Sequence, residues 1–166
     1  MIVPEFIVHL LKPWNHFYSH SKMAETVVQS LHIGGVLMAG GLAIAADRGT
    51  LRALRAPAPE RAFPMRELAA VHQWVLTGLT IVVISGLGML AADIETFFGS
   101  WIYWTKMALF VVLLVNGLVI VRTEAELRAD PHEQSPHWAR LRLRALTSIG
   151  LWFTITVLGV SLVNLT

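Results

Sequence analysis

Four long stretches of this chain carry almost no charge, and this feature constrains the fold more than any other. Thr26–Ala46, Leu68–Ala92 and Ala145–Thr166 contain no Asp, Glu, Lys or Arg, and Phe97–Val121 contains only Lys106. Each stretch is longer than the roughly 20 residues that a helix needs to cross the hydrocarbon core of a bilayer. Because lipid offers no hydrogen-bond partners to backbone amides, such stretches cross membranes as helices.

Two other architectures fit the pattern poorly. The helices of a soluble bundle each need a polar face, and these stretches have none. A membrane barrel would show short segments of alternating polarity. We therefore predict an all-α fold, a polytopic membrane four-helix bundle, with spans at about 24–46, 68–92, 101–122 and 145–165.

The basic residues predict the orientation of the bundle. Ten of the thirteen Lys and Arg residues lie in two loops. They are Arg48, Arg52, Arg55, Arg61 and Arg66 between the first two spans, and Arg122, Arg128, Arg140, Arg142 and Arg144 between the last two. Since basic residues mark cytoplasmic loops, we expect both termini on the periplasmic side of a bacterial inner membrane, N-out and C-out. The arginines also suit anionic lipid headgroups, and we expect no nucleic-acid partner.

The chain divides into two parts. Residues 1–23 mix apolar and aromatic residues with His and Lys, which is typical of a short amphipathic segment lying at the outer membrane interface. We expect this segment to be broken near Pro13. Residues 24–166 form the transmembrane domain, within which Gly35, Ala39 and Gly78 favour close approach of neighbouring helices.

Polar residues inside the spans are the best functional pointers, because they are costly in lipid. Counting about 1.5 Å per residue along each helix, the predicted spans place His32 and Lys106 in an outer layer. His72 and Asn116 form an inner layer near the cytoplasmic side. These four residues are the candidate cofactor-binding residues.

Three interpretations of His32 are open. It is a buried histidine bonded to a neighbouring helix, an axial ligand to a haem held in the bundle, or part of a proton or metal site. A haem shared with His72 is disfavoured, because the two residues differ by something like 10 Å in depth. Lys106 is either an anchor reaching the outer interface or an interior charge that meets a haem propionate or a quinone oxygen.

The outer segment contains a second candidate metal site. His16 and His20 are four residues apart and share one face if the segment is helical, with Met23 three residues further on. Imidazole and thioether groups suit copper. Two histidines at this spacing also arise by chance. The candidate metal ligands are therefore His32, His16 and His20.

Several of these residues carry a resemblance to a known family. The run Ser30–Gly35, the helix end Ala46–Arg48 and the pair Lys106 and Asn116 resemble a family of uncharacterised bacterial four-helix membrane proteins. This resemblance covers about residues 24–122, and the chain is more distantly similar to the copper-resistance D-type membrane domain. The resemblance implies the fold and a lean toward copper or redox biology.

No sequence pattern indicates hydrolytic chemistry. A phosphate loop, a Ser-His-Asp set and paired carboxylates are all missing from the sequence, and there is no cysteine. We expect no independent enzymatic activity. The sharpest hypothesis is a small membrane subunit that binds b-type haem through His32 and carries electrons between a quinol and an outer partner.

Two alternatives to the haem hypothesis stay open. The protein is a non-catalytic scaffold or assembly subunit of a larger membrane complex, or it is a copper-handling membrane protein. The expected partners are the lipid bilayer, a quinone, and either other membrane subunits or a second copy of the chain.

Overall fold

The structure, a computed structural model, describes residues 4–56, 58–129 and 136–165, with backbone only at 58–69, 128–129 and 165. Within these residues the chain forms helices and turns and no strand. The helices are α1 Glu5–His20, α2 Lys22–Ala53, α3 Ala58–Ala92, α4 Ile94–Gly99, α5 Trp101–Ala129 and α6 His137–Leu165.

Four of the helices are long and apolar enough to cross a membrane, which confirms the predicted fold class. The qualifying segments are Lys22–Ala53, Ala70–Ala92, Trp101–Leu127 and His137–Asn164. Their outward surface is apolar, with exposed side chains such as Leu37, Leu76, Val115 and Phe153. A continuous apolar surface of this kind suits lipid rather than water, as expected for a multi-pass membrane protein.

The long helices extend past the predicted ends of the spans. The helix α2 continues to Ala53, α5 continues to Ala129, and α3 already begins at Ala58. Ala, Leu, Arg and Glu are frequent beyond the apolar stretches, and these residues favour helix once it has started. The helical extensions therefore place charged residues on helices rather than in loops.

The four long helices pack as two pairs. The helix α2 packs along α3, and α5 packs along α6, so each pair is a hairpin of chain neighbours. Contacts between α2 and α6 join the two hairpins, whereas α3 and α5 touch far less. Around the bundle the order is α3, α2, α6, α5, with its loosest seam between α3 and α5.

Small residues permit the close approach of the helices, as the sequence predicts. A Cβ on Gly35 would lie 3.0 Å from the Gly78 carbonyl oxygen, and one on Gly78 would lie 2.8 Å from the Ala39 amide nitrogen. Between the hairpins, a Cβ on Gly40 would lie 2.9 Å from the Trp152 ring. The helix backbones therefore meet at distances that larger residues do not allow.

The predicted break near Pro13 is wrong, because α1 runs through it without interruption. Pro13 has no amide hydrogen, but it is exposed, so solvent can bind the carbonyl that loses its helical partner. The Trp14 indole donates a hydrogen bond to the Gly88 carbonyl at 2.8 Å, and the Asn15 amide donates to a carbonyl at the end of α3. These bonds fix α1 across one end of the bundle.

The two ends of the bundle differ in charge. The end that carries α1 and α4 is called the α4 end. The opposite end is called the Arg-rich end, and the described arginine side chains there are Arg48, Arg52, Arg55, Arg122, Arg140, Arg142 and Arg144.

Candidate functional site

His32 lies on the face of α2 that packs against α3. Its Nδ1 is 3.1 Å from the Val82 carbonyl oxygen and 3.1 Å from the Ser85 hydroxyl oxygen. A carbonyl oxygen only accepts, so Nδ1 carries the proton and the neutral ring keeps its lone pair on Nε2. The Ser85 hydroxyl donates to the Ile81 carbonyl at 2.6 Å, which leaves its oxygen free to accept from His32.

A glycine on α3 makes room for this imidazole. A Cβ on Gly86 would lie 3.2 Å from His32 Cε1, closer than most side-chain contacts. His32 is half-buried and shares its helix face with Gly35 and Ala39, which are both buried. His32 therefore faces the interior of the bundle, toward α3.

Lys106 reaches toward the neighbouring helix of its own hairpin. Its Nζ is 3.9 Å from where a Cβ on Gly159 of α6 would lie, and the side chain is half-buried. The ammonium is also near enough to His32 for the two groups to interact electrostatically. Of its two predicted roles, this placement favours the interior charge over the interfacial anchor.

His72 lies far from His32. The α3 residues that touch His32 are Val82, Ser85 and Gly86, which follow His72 by 10 to 14 residues. At 1.5 Å per residue this is about 15 to 21 Å along the helix. The structure therefore does not bring the two histidines to one cofactor.

Asn116 joins α5 to α6 at the Arg-rich end. It is 2% exposed, and its amide donates to the Arg144 carbonyl at 3.0 Å. The Arg144 guanidinium approaches the Asn116 side-chain oxygen at 3.5 Å. These contacts occupy both ends of the amide and give Asn116 a role in holding the hairpin together.

A polar cluster that the sequence did not predict lies near His72. Its members are Asp47 of α2, His72 of α3, Glu124 of α5 and Ser148 of α6, and it is called the acid cluster below. Asp47 is 6% exposed and Glu124 is 2% exposed. The Ser148 hydroxyl hydrogen-bonds the Asp47 carboxyl, which interacts electrostatically with Glu124. His72 Nε2 is 3.8 Å from Glu124 Oε2.

Helical periodicity is the signal that could have revealed the acid cluster. Glu124 continues a buried stripe of α5 that runs through Leu113, Asn116 and Ile120, at spacings of three and four residues. The predicted first span ends at about residue 46, so the sequence analysis placed Asp47 at the end of that span rather than inside the bundle. Because α2 continues for six more residues to Ala53, Asp47 lies inside the packed part of the bundle.

The outer histidines form a stacked pair on α1. The ring centroids of His16 and His20 are 4.2 Å apart, and both side chains are exposed. His20 Nδ1 is 2.9 Å from the His16 carbonyl oxygen. In the described part of the chain, no three His, Asp or Glu residues gather closely enough to hold a metal ion. Copper binding stays a prediction.

Comparison with known proteins places the chain in a family. A family model described as a family of unknown function, DUF6644, matches residues 16–163, and the chain belongs to this family. No curated protein and no solved structure matches the chain.

Proposed function

For this member of a family without an assigned activity, we propose a small membrane subunit that binds b-type haem through His32 and serves membrane electron transfer. One observation carries the proposal: the Nδ1 proton of His32 is donated to α3, so that Nε2 presents its lone pair. Histidines that ligate metals typically donate their other ring nitrogen to a carbonyl or similar group, which fixes the tautomer and raises ligand basicity.

Lys106 supports the same site from the other hairpin. Its ammonium lies beside α6 and interacts electrostatically with His32. An interior cation is costly in a membrane bundle and indicates an anionic or polar partner. A haem propionate is such a partner, and a quinone oxygen is a second group that an ammonium can bind.

The test is the reduced-minus-oxidised absorption spectrum of the full chain, purified in detergent from its native host. We expect haem bands in the wild type and their loss in His32→Ala. His16→Ala, which removes an exposed histidine, is the matched control and keeps the bands. Lys106→Met keeps the bands and lowers the reduction potential, because it removes a positive charge. A wild type without haem bands refutes the proposal.

A specific observation favours a scaffold or assembly subunit as the second candidate. The space beside the small residues near His32 is occupied by the neighbouring helix, because Gly35 and Ala39 pack closely against Gly78. His32 also has two hydrogen-bond acceptors already. If the protein is a scaffold or assembly subunit, the wild type has no haem bands. His32→Ala then changes only the thermal stability of the protein or its association with other membrane subunits.

We also propose an orientation. The Arg-rich end lies at the cytoplasmic face of a bacterial inner membrane, and both termini lie on the periplasmic side. The support is the distribution of charge, since ten of the thirteen Lys and Arg residues lie at that end, in the helix ends and connections between α2 and α3 and between α5 and α6.

A further inference from the structure

The acid cluster brings two carboxyl groups into a part of the bundle that excludes water. Asp47, Glu124 and Ser148 are 6%, 2% and 5% exposed, and each belongs to a different helix. Neighbouring Thr50 is 3% exposed. Buried charges are costly unless they are paired and hydrogen-bonded, so the protonation of this cluster is tied to its contacts.

The two carboxyl groups differ in what surrounds them. His72 lies close to Glu124, with 3.8 Å between Nε2 and Oε2. Asp47 has the Ser148 hydroxyl, but its Oδ2 is buried and has no hydrogen-bond partner. An ionised Asp47 would therefore place a charged oxygen without a donor inside the bundle.

Among the side chains that the structure describes, the charged groups on the surrounding helices do not offset Asp47. On α3 the described titratable side chain is His72, which approaches Glu124. On α6 the Arg144 guanidinium turns toward Asn116. On α2 and α5, Arg48 and Arg122 are exposed. Glu124 interacts electrostatically with Asp47, and a negative charge on Glu124 favours the neutral form of the Asp47 carboxyl.

We propose that the acid cluster is a proton-binding site in which Asp47 reversibly takes up one proton while His72 partners Glu124. The proton joins a carboxylate oxygen of Asp47 and leaves the same oxygen, with water at the Arg-rich end as its source and destination. Asp47 lies six residues before the end of α2, about 9 Å along the helix, so exchange with that side is short-range. This site is independent of the proposed haem site.

The test is infrared difference spectroscopy of the full chain in detergent, titrated with acid and base. We expect a protonated-carboxyl band at neutral pH that disappears in alkali and is absent in Asp47→Asn. Asp93→Asn, at the exposed α4 end, is the matched control and keeps the band.

Three outcomes overturn the proposal. They are a wild type without the band at neutral pH, a band unchanged in Asp47→Asn, and a band that sodium ions remove at constant pH. Asparagine has the shape of a protonated aspartate, so we expect Asp47→Asn to fold. If it fails to fold, Ser148→Ala replaces it: a shift in band frequency supports the site, and an unchanged frequency refutes it.

Discussion

At the scale of single residues, the polar side chains of the bundle form two groups, those that hydrogen-bond within their own helix and those that hydrogen-bond to a neighbouring helix. Thr77, Thr80 and Thr154 donate to carbonyls of their own helices, four residues earlier. His32 and Asn116 bond to neighbouring helices instead. Only bonds of the second kind hold one helix against another, so we expect large effects of substitution only at those residues.

Asn116→Ala tests this distinction. The substitution removes the donor to the Arg144 carbonyl in a buried position, and we expect a loss of about 1–3 kcal/mol in stability. Asn164→Ala is the control, because Asn164 is exposed and bonds to its own helix. Thermal unfolding in detergent measures both, and equal melting temperatures for the two variants would contradict the assignment.

Sequence alone predicts the polar residues of the mid-span better than those at the ends. His32 stands among small residues on one helix face, within a stretch that has no charged neighbours. Asp47 and Glu124 stand beside arginines, where a charged residue is ordinarily solvated. Their burial depends on α2 and α5 continuing as helices and packing together, and this is tertiary information that local composition does not contain.

At the scale of elements, glycines set the distance between helices. Gly78 faces the backbone of Ala39, whereas Gly117 of α5 has open space where its Cβ would be. The four apolar spans were predictable because charge is excluded from lipid. The unbroken course of α1 was not predictable, because the effect of Pro13 depends on whether solvent reaches the carbonyl that loses its helical hydrogen-bond partner.

Gly78→Ala and Gly117→Ala therefore have opposite expected effects. The added methyl at Gly78 would meet the Ala39 amide nitrogen at 2.8 Å, so α2 and α3 must separate, at a cost of about 1–3 kcal/mol. The same change at Gly117 meets nothing and raises helix propensity, so stability is unchanged or up to about 1 kcal/mol higher. Melting temperatures in one detergent give the comparison. A Gly78→Ala protein as stable as wild type would show that the contact yields easily.

At the scale of the whole molecule, charge separates one end of the bundle from the other. The α4 end presents Asp93 and Glu95 between α3 and α5, with no Lys or Arg in that connection. The opposite end carries the arginines of the α2–α3 and α5–α6 helix ends and connections. This asymmetry is the basis of the proposed orientation, in which the Arg-rich end stays in the cytoplasm.

Reporter fusions test the orientation directly. A reporter active only in the cytoplasm, joined after residue 58 or residue 132, is expected to be active at both positions. The same reporter joined after residue 96, in the connection at the α4 end, is the control and is expected to be silent. Activity of a periplasmic reporter at position 58 or 132 would reverse the proposed topology.

The pairing of chain neighbours into two hairpins has a consequence for biogenesis. Each hairpin is complete as soon as its second helix has left the ribosome, since its main partner precedes it in the chain. The ring of Trp152 against Gly40 belongs to the contact that joins the halves, and it forms only after the last helix has been made. Two half-chains divided within α4 and produced separately should therefore each insert, and then assemble into the intact protein.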